Sequence, residues 1–251
     1  VLIPKNKRMT ACISSQVGCS LSCSFCATGT LGLTRNLSAS EIYRQVVYIS
    51  KKCMEIYNQP LTNIVFMGMG EPLLNYKNVM RSIHFITSEE GLNMSYKRIT
   101  LSTSGISKMI RKLADDNVKV NLALSLHAAN EELRKKIMPI GKSNTLEEIR
   151  DSLKYYFSKT KKKVTYEYVL LRDVNDSIED AYQLYKYTKH LSSKVNIIEY
   201  NAVEGLEFKK SSFEKTEKFI GYLLKKGVNV SLRRSRGKDI NAACGQLANK
   251  N

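Results

Sequence analysis

Cys19, Cys23 and Cys26 stand as C-x3-C-x2-C, and no other residues in this chain speak so directly of chemistry. Three thiolates this close can face one point in space. Thiolate sets select soft sites, zinc or iron–sulfur. A four-iron cluster usually takes four cysteines, and the next cysteine downstream is Cys53, well removed from the triplet. Three ligands on four irons leave one iron open to a second molecule, which turns a passive cluster into a reactive one. Structural zinc sites complete four protein ligands at paired spacings, and the uneven spacing here fits that poorly. Disulfide frameworks belong to short secreted chains. This sequence has 251 residues and no signal-peptide pattern at its start, which points to a cytoplasmic setting.

Other chemistry-bearing residues follow strand-like runs. Gly68-Met69-Gly70-Glu71-Pro72-Leu73 comes after one. Its glycines would let backbone approach a ligand, and Glu71 could accept hydrogen bonds from an ammonium group. Ser102-Thr103-Ser104-Gly105, Ser125-Leu126-His127 and Asn201 each close a further run. A lone histidine is commonly a satisfied core residue, but its place at a strand terminus assigns His127 to the same end as its neighbours. Cys12 lies seven residues before Cys19, and Cys244 lies near the C-terminus. If a barrel's first and last strands approach, these two could serve as nucleophile and resolving thiol. Cys53, beside Lys51 and Lys52, reads as a bystander on a helix.

The elements that must position these residues alternate. Strands are expected over residues 10–13, 63–67, 98–102, 118–126, 164–171, 195–200 and 228–233, most of them dense in Val, Ile, Leu and Tyr as strands flanked by helices are. Ser38-Ala39-Ser40-Glu41 has capping-box form, Asn75 could cap a helix, and Thr145-Leu146-Glu147-Glu148 opens another. Residues 177–191 and 212–226 complete the set. The stretch around residues 159–163 is a helix-end turn, and no internal repeat divides the chain. The alternation predicts an α/β fold with a parallel sheet or barrel, whose ligands gather at the C-terminal strand ends.

Composition adds a partner. The formal net charge is +17, with clusters at Lys5, Lys7 and Arg8, at Lys161–Lys163, and at Arg233, Arg234 and Arg236. That excess points to a polyanion without separating RNA, DNA or an acidic membrane surface. No apolar run reaches the roughly 18 residues of a membrane span. The sequence opens Val1-Leu2-Ile3-Pro4 without a methionine, so a fragment is expected.

Taken together, the motifs resemble a family. Cys12-x6-Cys19-x3-Cys23-x2-Cys26-Ala27-Thr28-Gly29, Gly68-Met69-Gly70-Glu71-Pro72-Leu73-Leu74-Asn75, Ser102-Thr103-Ser104-Gly105, Ser125-Leu126-His127-Ala128 and Asp239-Ile240-x-Ala242-Ala243-Cys244-Gly245-Gln246-Leu247 look like the RlmN/Cfr family of radical S-adenosylmethionine (SAM) RNA methyltransferases. The triplet alone indicates only the radical SAM superfamily. The order of all the motifs, over essentially the whole chain, is far more specific.

The resemblance implies a partial (β/α)6 barrel and a radical SAM catalytic core over residues 1–251, without the family's small N-terminal RNA-binding domain. It implies a 4Fe-4S cluster on Cys19, Cys23 and Cys26. SAM contacts carry over to Gly70, Glu71, Ser102, Ser125, Leu126, His127 and Asn201. Cys244 becomes the methyl carrier and Cys12 its resolving partner through a transient disulfide. The implied partners are 23S ribosomal RNA, some tRNAs and an external electron donor. Gly70-Glu71-Pro72 looks like the branch that methylates adenine C2 rather than C8. The family's general base is a glutamate just upstream of the segment that opens this sequence. Two other readings stay open: a radical SAM enzyme with a protein or small-molecule substrate, such as a glycyl-radical activator, and a basic RNA-binding module with a structural cluster. The pair Cys12 and Cys244 speaks against the first, the strand-end positions against the second.

Overall fold

The computed structural model describes residues 1–234, 237 and 242–248. The expected Arg236 of the last basic cluster and the stretch 238–241 of the C-terminal motif lie outside the described residues.

The chain enters as a hairpin, β1 (Leu2–Lys5) against β2 (Arg8–Cys12), closed by Asn6 at φ 52° and Lys7. A parallel series follows: β2, β5 (Asn63–Phe66), β6 (Ile99–Thr103), β7 (Asn121–Ser125), β8 (Val164–Leu170), β9 (Ser193–Glu199) and β10 (Val230–Arg233), adjacent in that order. Between β2 and its helix lie β3 (Gln16–Gly18), the short α1 (Ala27–Thr30) and β4 (Leu33–Asn36), with β3 and β4 paired antiparallel. The crossovers carry α2 (Ala39–Tyr57), α3 (Tyr76–Thr87), α4 (Ser107–Asp115), α5 (Glu131–Ile137), α6 (Leu146–Thr160), α7 (Ile178–Thr188) and α8 (Phe213–Lys225). Six strand–helix units and a further strand make a curled parallel sheet. Among the described residues β1 and β10 are its two unpaired edges. This is the expected partial barrel.

Local chemistry explains the helix starts. Ser38 with Glu41, Thr145 with Glu148 and Ser177 with Asp180 form reciprocal capping boxes, and Ser212 caps α8. α6 stops at Lys161 in the left-handed region, as the turn at residues 159–163 predicted. Asn75 differs from expectation. It stands at the N-cap of α3 but caps no backbone N–H: its Oδ1 accepts Asn78 Nδ2 (2.8 Å), and its Nδ2 donates to Ser15 O (2.8 Å) and Leu37 O (2.7 Å). It ties the loop after β2 to the helix rather than starting it. The strand expected from residue 118 begins at Asn121. Val118 N–H is taken by Leu113 O in the turn closing α4.

The main core lies between the sheet and its helices. Ala11, Ile64, Phe66, Ile99, Leu101, Leu122, Leu124, Tyr166 and Ile197 face it, against Ile42, Val46, Ile83, Ile110, Ile149, Leu153, Leu184 and Phe219 from the helices. Each such side chain removed from water contributes about 1.5–3 kcal/mol. Residues between those strand positions point into the barrel, where the site is. No helix among the described residues is long and apolar enough to cross a membrane.

Candidate functional site

The loop carrying Cys19, Cys23 and Cys26 is folded by backbone bonds. Cys19 N–H donates to Gly32 O (2.8 Å) and Cys26 N–H to Cys23 O (3.2 Å). Gly29 packs so close to Cys23 that a Cβ would sit 2.8 Å from its carbonyl oxygen. Ser24 N–H and Oγ both donate to Ile137 O at the end of α5 (3.0 and 3.2 Å). Phe25 seats the loop in a second apolar cluster with Ala128, Ile137, Met138 and Ile198, against which Cys23 and Cys26 pack. Burial pushes the Cys23 and Cys19 thiols up, and for Cys23 the neighbouring Cys26 and Cys19 add to it. Both are therefore thiols until a metal takes the proton's place.

Among the described residues, no three His, Cys, Asp or Glu side chains converge tightly enough to hold a single metal ion. A four-iron cluster takes one thiolate per iron, which the three thiols lining one cavity can supply.

That cavity, of about 180 Å³, sits at the C-terminal strand ends. All three cysteines line it, together with Gly70, Glu71, Ser102, Ser125 and His127. Ser102 Oγ and Ser125 Oγ share a hydrogen bond of 3.3 Å across β6 and β7. Leu126 is fully buried, and its N–H donates to Glu167 O (3.0 Å). His127 takes φ 56°, a left-handed backbone uncommon for a side chain of its size. Its Nδ1 accepts Val169 N–H (3.1 Å), and its carbonyl accepts Asn175 Nδ2 (2.7 Å). Burial, then the nearby Arg134 charge, pull its pKa down to about 3. The ring is therefore neutral, and with Nδ1 accepting, the proton sits on Nε2 as a fixed donor.

Glu71 and the glycines line the cavity and also make contacts within their own chain. The Glu71 carboxylate serves its own chain: Oε1 accepts Leu73 N–H (3.1 Å) and Oε2 accepts Ser104 N–H (2.7 Å). Burial raises its pKa against those bonds. The carboxylate thus locks one cavity wall to the next. Gly68 and Gly70 are small because the strand after β2 crosses them. A Cβ on Gly68 would meet Ser14 Oγ at 2.6 Å, and one on Gly70, at φ 95°, would meet Gln16 Cβ at 2.5 Å.

The C-terminal segment closes the site. Ala27 N–H donates to Gly245 O (2.8 Å), Thr28 Oγ1 to Leu247 O (2.6 Å), and Asn201 Nδ2 to Cys244 O (3.1 Å). Asn201 and Cys244, distant in sequence, therefore meet. Asn201 Oδ1 is buried without a partner among the described residues, and Asn201 itself does not line the cavity. Ser15 Oγ is another buried oxygen without a partner.

Cys12 and Cys244 are free thiols that line one further cavity with Arg233 and Glu167. Cys12 is buried, and its pKa is pushed up to about 12 by burial and then by Cys244. Cys244 is exposed as a residue, but its thiol faces the cavity. Burial there pushes the pKa up and the Arg233 charge opposes it. Cys53 is wholly buried in α2, far from this chemistry.

Three functional candidates were not picked out from sequence. Glu167, mid-strand on β8, accepts Asn196 Nδ2 (2.8 Å) and Arg233 Nη1 (3.1 Å). Arg233 appeared only as one of a basic cluster, yet it stands between the two thiols. Arg134 is fully buried beside the cluster loop, donating to Ser104 O (2.6 Å) with Nε unpartnered. A charged residue inside a strand of aromatic alternation, Tyr166-Glu167-Tyr168, was the available signal for Glu167.

Comparisons with known proteins decide the family. The Radical SAM superfamily model matches residues 13–185. The dual-specificity RNA methyltransferases RlmN of Christiangramia forsetii and Flavobacterium psychrophilum are 54% and 57% identical over 250 residues, covering all of this chain and 71% and 72% of theirs. A radical SAM methyltransferase from Sphaerobacter thermophilus superposes with a TM-score of 0.96 at 43% identity, over 98% of this chain and 72% of that one. This chain belongs to the RlmN family of radical SAM enzymes. Streptococcus suis SuiB, at 17% identity and a TM-score of 0.65, shares the fold alone, over 89% of this chain and 48% of its own. Membership brings a 4Fe-4S cluster and SAM as cofactors, and the thiol triplet and the small strand-end residues around the cavity fit them.

Proposed function

We propose that this chain is an RNA methyltransferase that places a methyl group on C2 of adenosine in 23S ribosomal RNA and in tRNA, in the cytoplasm, with electrons from an external donor. Its relatives' names supply the RNA, and the Gly70-Glu71-Pro72 sequence supports C2 over C8. The observation that supports the mechanism is that Cys12 and Cys244 line one cavity with Arg233, while Cys244 and Arg233 also line the cavity of the thiol triplet.

Adenine C2 is an electron-poor amidine carbon and does not attack a sulfonium methyl as an ordinary nucleophile. Cys19, Cys23 and Cys26 would hold the cluster, which would supply a reducing electron, and SAM bound in the cavity would supply the methyl group and the radical source. The chain's residues do the rest. Cys244 accepts the methyl group on sulfur and carries the one-carbon unit to the base. After the C2 proton has left to a general base, Cys12 attacks the Cys244 sulfur: an S–S bond forms, the C–S bond to the product breaks, the released carbon takes up a proton to become the methyl group, and external reduction of the disulfide restores both thiols. Burial holds Cys12 as a thiol at neutral pH, and the Arg233 guanidinium is placed to stabilise either sulfur as its thiolate forms. The Nε2–H of His127 and the backbone at Gly70 and Glu71 orient SAM.

The test is anaerobic reconstitution with iron and sulfide, then incubation with SAM, reductant and labelled RNA. Cys12→Ala is expected to leave RNA covalently attached to Cys244 on a denaturing gel, and Cys244→Ala to leave none. Wild-type product nucleosides should contain 2-methyladenosine. A crosslink surviving Cys244→Ala, or full methylation by both variants, would falsify the assignment.

A further inference from the structure

Below the site the barrel is hollow. A second cavity, of about 670 Å³, is lined by the inward residues of the lower strands, Thr10, Thr100, Thr165, Lys194, Asn196 and Ser231. It shares Met67, Glu167, Ile198, Arg233 and Cys244 with the cavity above, so these residues form a wall common to both, and Cys244 borders each while Cys12 lines only the lower one. Its size lies within the roughly 300–1,000 Å³ of ligand pockets. It reaches β1 at Ile3 and Lys5 and β10 at Ser231–Arg233, the two unpaired sheet edges, so its mouth is the lateral gap of the barrel.

The charge at that mouth has one sign. Lys5 and Arg8 face each other across the β1–β2 hairpin, Lys194 opens β9 and Arg234 follows β10. All four are exposed lining residues, and none has a carboxylate partner among the described residues. Elsewhere many cations are paired: Arg35 with Glu41, Lys112 with Asp116, Lys210 with Glu199, Lys218 with Glu214. Among the described residues Glu167 is the one acid lining the cavity, and it already bonds Arg233. Uncompensated cations around a polar opening favour an anion, and hydroxyls and amides inside favour a polar guest over an apolar one.

We propose that this gap is the seat of the RNA backbone. The phosphodiesters flanking the target nucleotide bind Lys5, Arg8, Lys194 and Arg234, and the nucleotide itself reaches inward to the Cys244 sulfur. The assignment rests on the RNA methyltransferase reading and specifies where its substrate lies. It gives the hollow interior a purpose: an unstacked nucleotide needs a polar, open cavity, and phosphate contacts position it without reading sequence.

The experiment compares two sets of four neutralisations on the same chain. One is Lys5→Gln, Arg8→Gln, Lys194→Gln and Arg234→Gln. The other, on and after α6, is Lys154→Gln, Lys159→Gln, Lys161→Gln and Lys163→Gln. RNA binding is followed by anisotropy across a salt series, with circular dichroism and a melting curve to check folding. The single variants Arg8→Gln and Lys194→Gln stand in if the fourfold mouth variant is unstable. The mouth set is expected to weaken RNA binding on the order of tenfold or more near 0.1 M salt and to flatten the log–log salt slope by about 0.7–0.9 for each phosphate left without its cation. The α6 set is expected to change both far less. Wild-type affinity and slope in the mouth set, or equal losses in the two sets, overturn the seat. If wild type binds RNA but never methylates it, the enzymatic reading fails, while the comparison of the two sets still decides the seat.

Discussion

Along β8 the side chains alternate between two environments. Val164, Tyr166, Tyr168 and Leu170 face the helices in the main core, whereas Thr165, Glu167 and Val169 line the cavities inside the barrel. Neighbouring strands repeat the division, with Val195 and Ile197 outward on β9 and Lys194, Asn196 and Ile198 inward, and Ile99 and Leu101 outward on β6 with Thr100 and Ser102 inward. In a closed eight-stranded barrel the inward residues would be a packed core. Here the sheet is open, and they are free to hold cofactor, substrate and thiols. One face of the sheet carries stability and the other carries chemistry, and strand periodicity keeps the two jobs separate.

If that division is right, the largest effect comes from the outer face. Tyr166 is fully buried, with its ring 5.9 Å from that of Tyr187. Tyr166→Ala is expected to cost about 3–5 kcal/mol, by loss of buried area and the cavity left behind, read from a shifted midpoint in urea unfolding. A loss under about 1 kcal/mol would mean that the outer face is not the structural one.

A smaller, pH-dependent effect belongs to the inner face. His127 has its pKa lowered to about 3 in the fold, against 6.5 unfolded. Above pH 6.5 both states are neutral there and nothing is lost. As pH falls from 6.5 toward 3 the unfolded chain takes up a proton that the native chain refuses, so stability declines by up to about 1.4 kcal/mol per pH unit. Below pH 3 the decline from this group stops. Carboxylates titrate in the same window, so the informative quantity is the difference between wild type and His127→Gln in cluster-free protein. Wild type is expected to lose stability faster between pH 6 and 4. Parallel curves would show that His127 is not held neutral by its surroundings.

How much of this was legible in the sequence follows the same division. Contiguous signals were readable: the cysteine triplet, the capping boxes and the strand runs rich in Val, Ile and Tyr. So was the rule that placed Ser102, Ser125, His127 and Asn201 at one end of the sheet, because each closes its own strand. What escaped depends on contacts between distant segments. The glycines Gly68 and Gly70 read as ligand-approach residues, and only the crossing of residues 13–16 shows that they make room for protein as well. That Glu71 also bonds Ser104 N–H could not be read from its own segment. Glu167 and Arg233 are mid-strand and terminal charges 66 residues apart, paired only by the order of β8, β9 and β10. The short β1, β3 and β4 carry too few residues for a periodic signal.

The smallest expected effect gives the sharpest comparison, since it sits one residue from the largest. Thr165 follows Val164 and precedes Tyr166 on β8, paired in register with Ala123 and Lys194 on the strands beside it. Its backbone is as constrained as its neighbour's, but its side chain points into the hollow, where truncation removes no apolar packing. Thr165→Ala therefore removes a hydroxyl and a methyl from a polar cavity, and stability should change by no more than about 0.5 kcal/mol. A lower strand propensity for alanine acts in the same direction and within the same bound at a single site. Urea unfolding of Thr165→Ala beside Tyr166→Ala, in one buffer, measures both faces of one strand. Comparable losses at the two positions would mean that the interior is packed after all, and that neither SAM nor a nucleotide has room there without displacing protein.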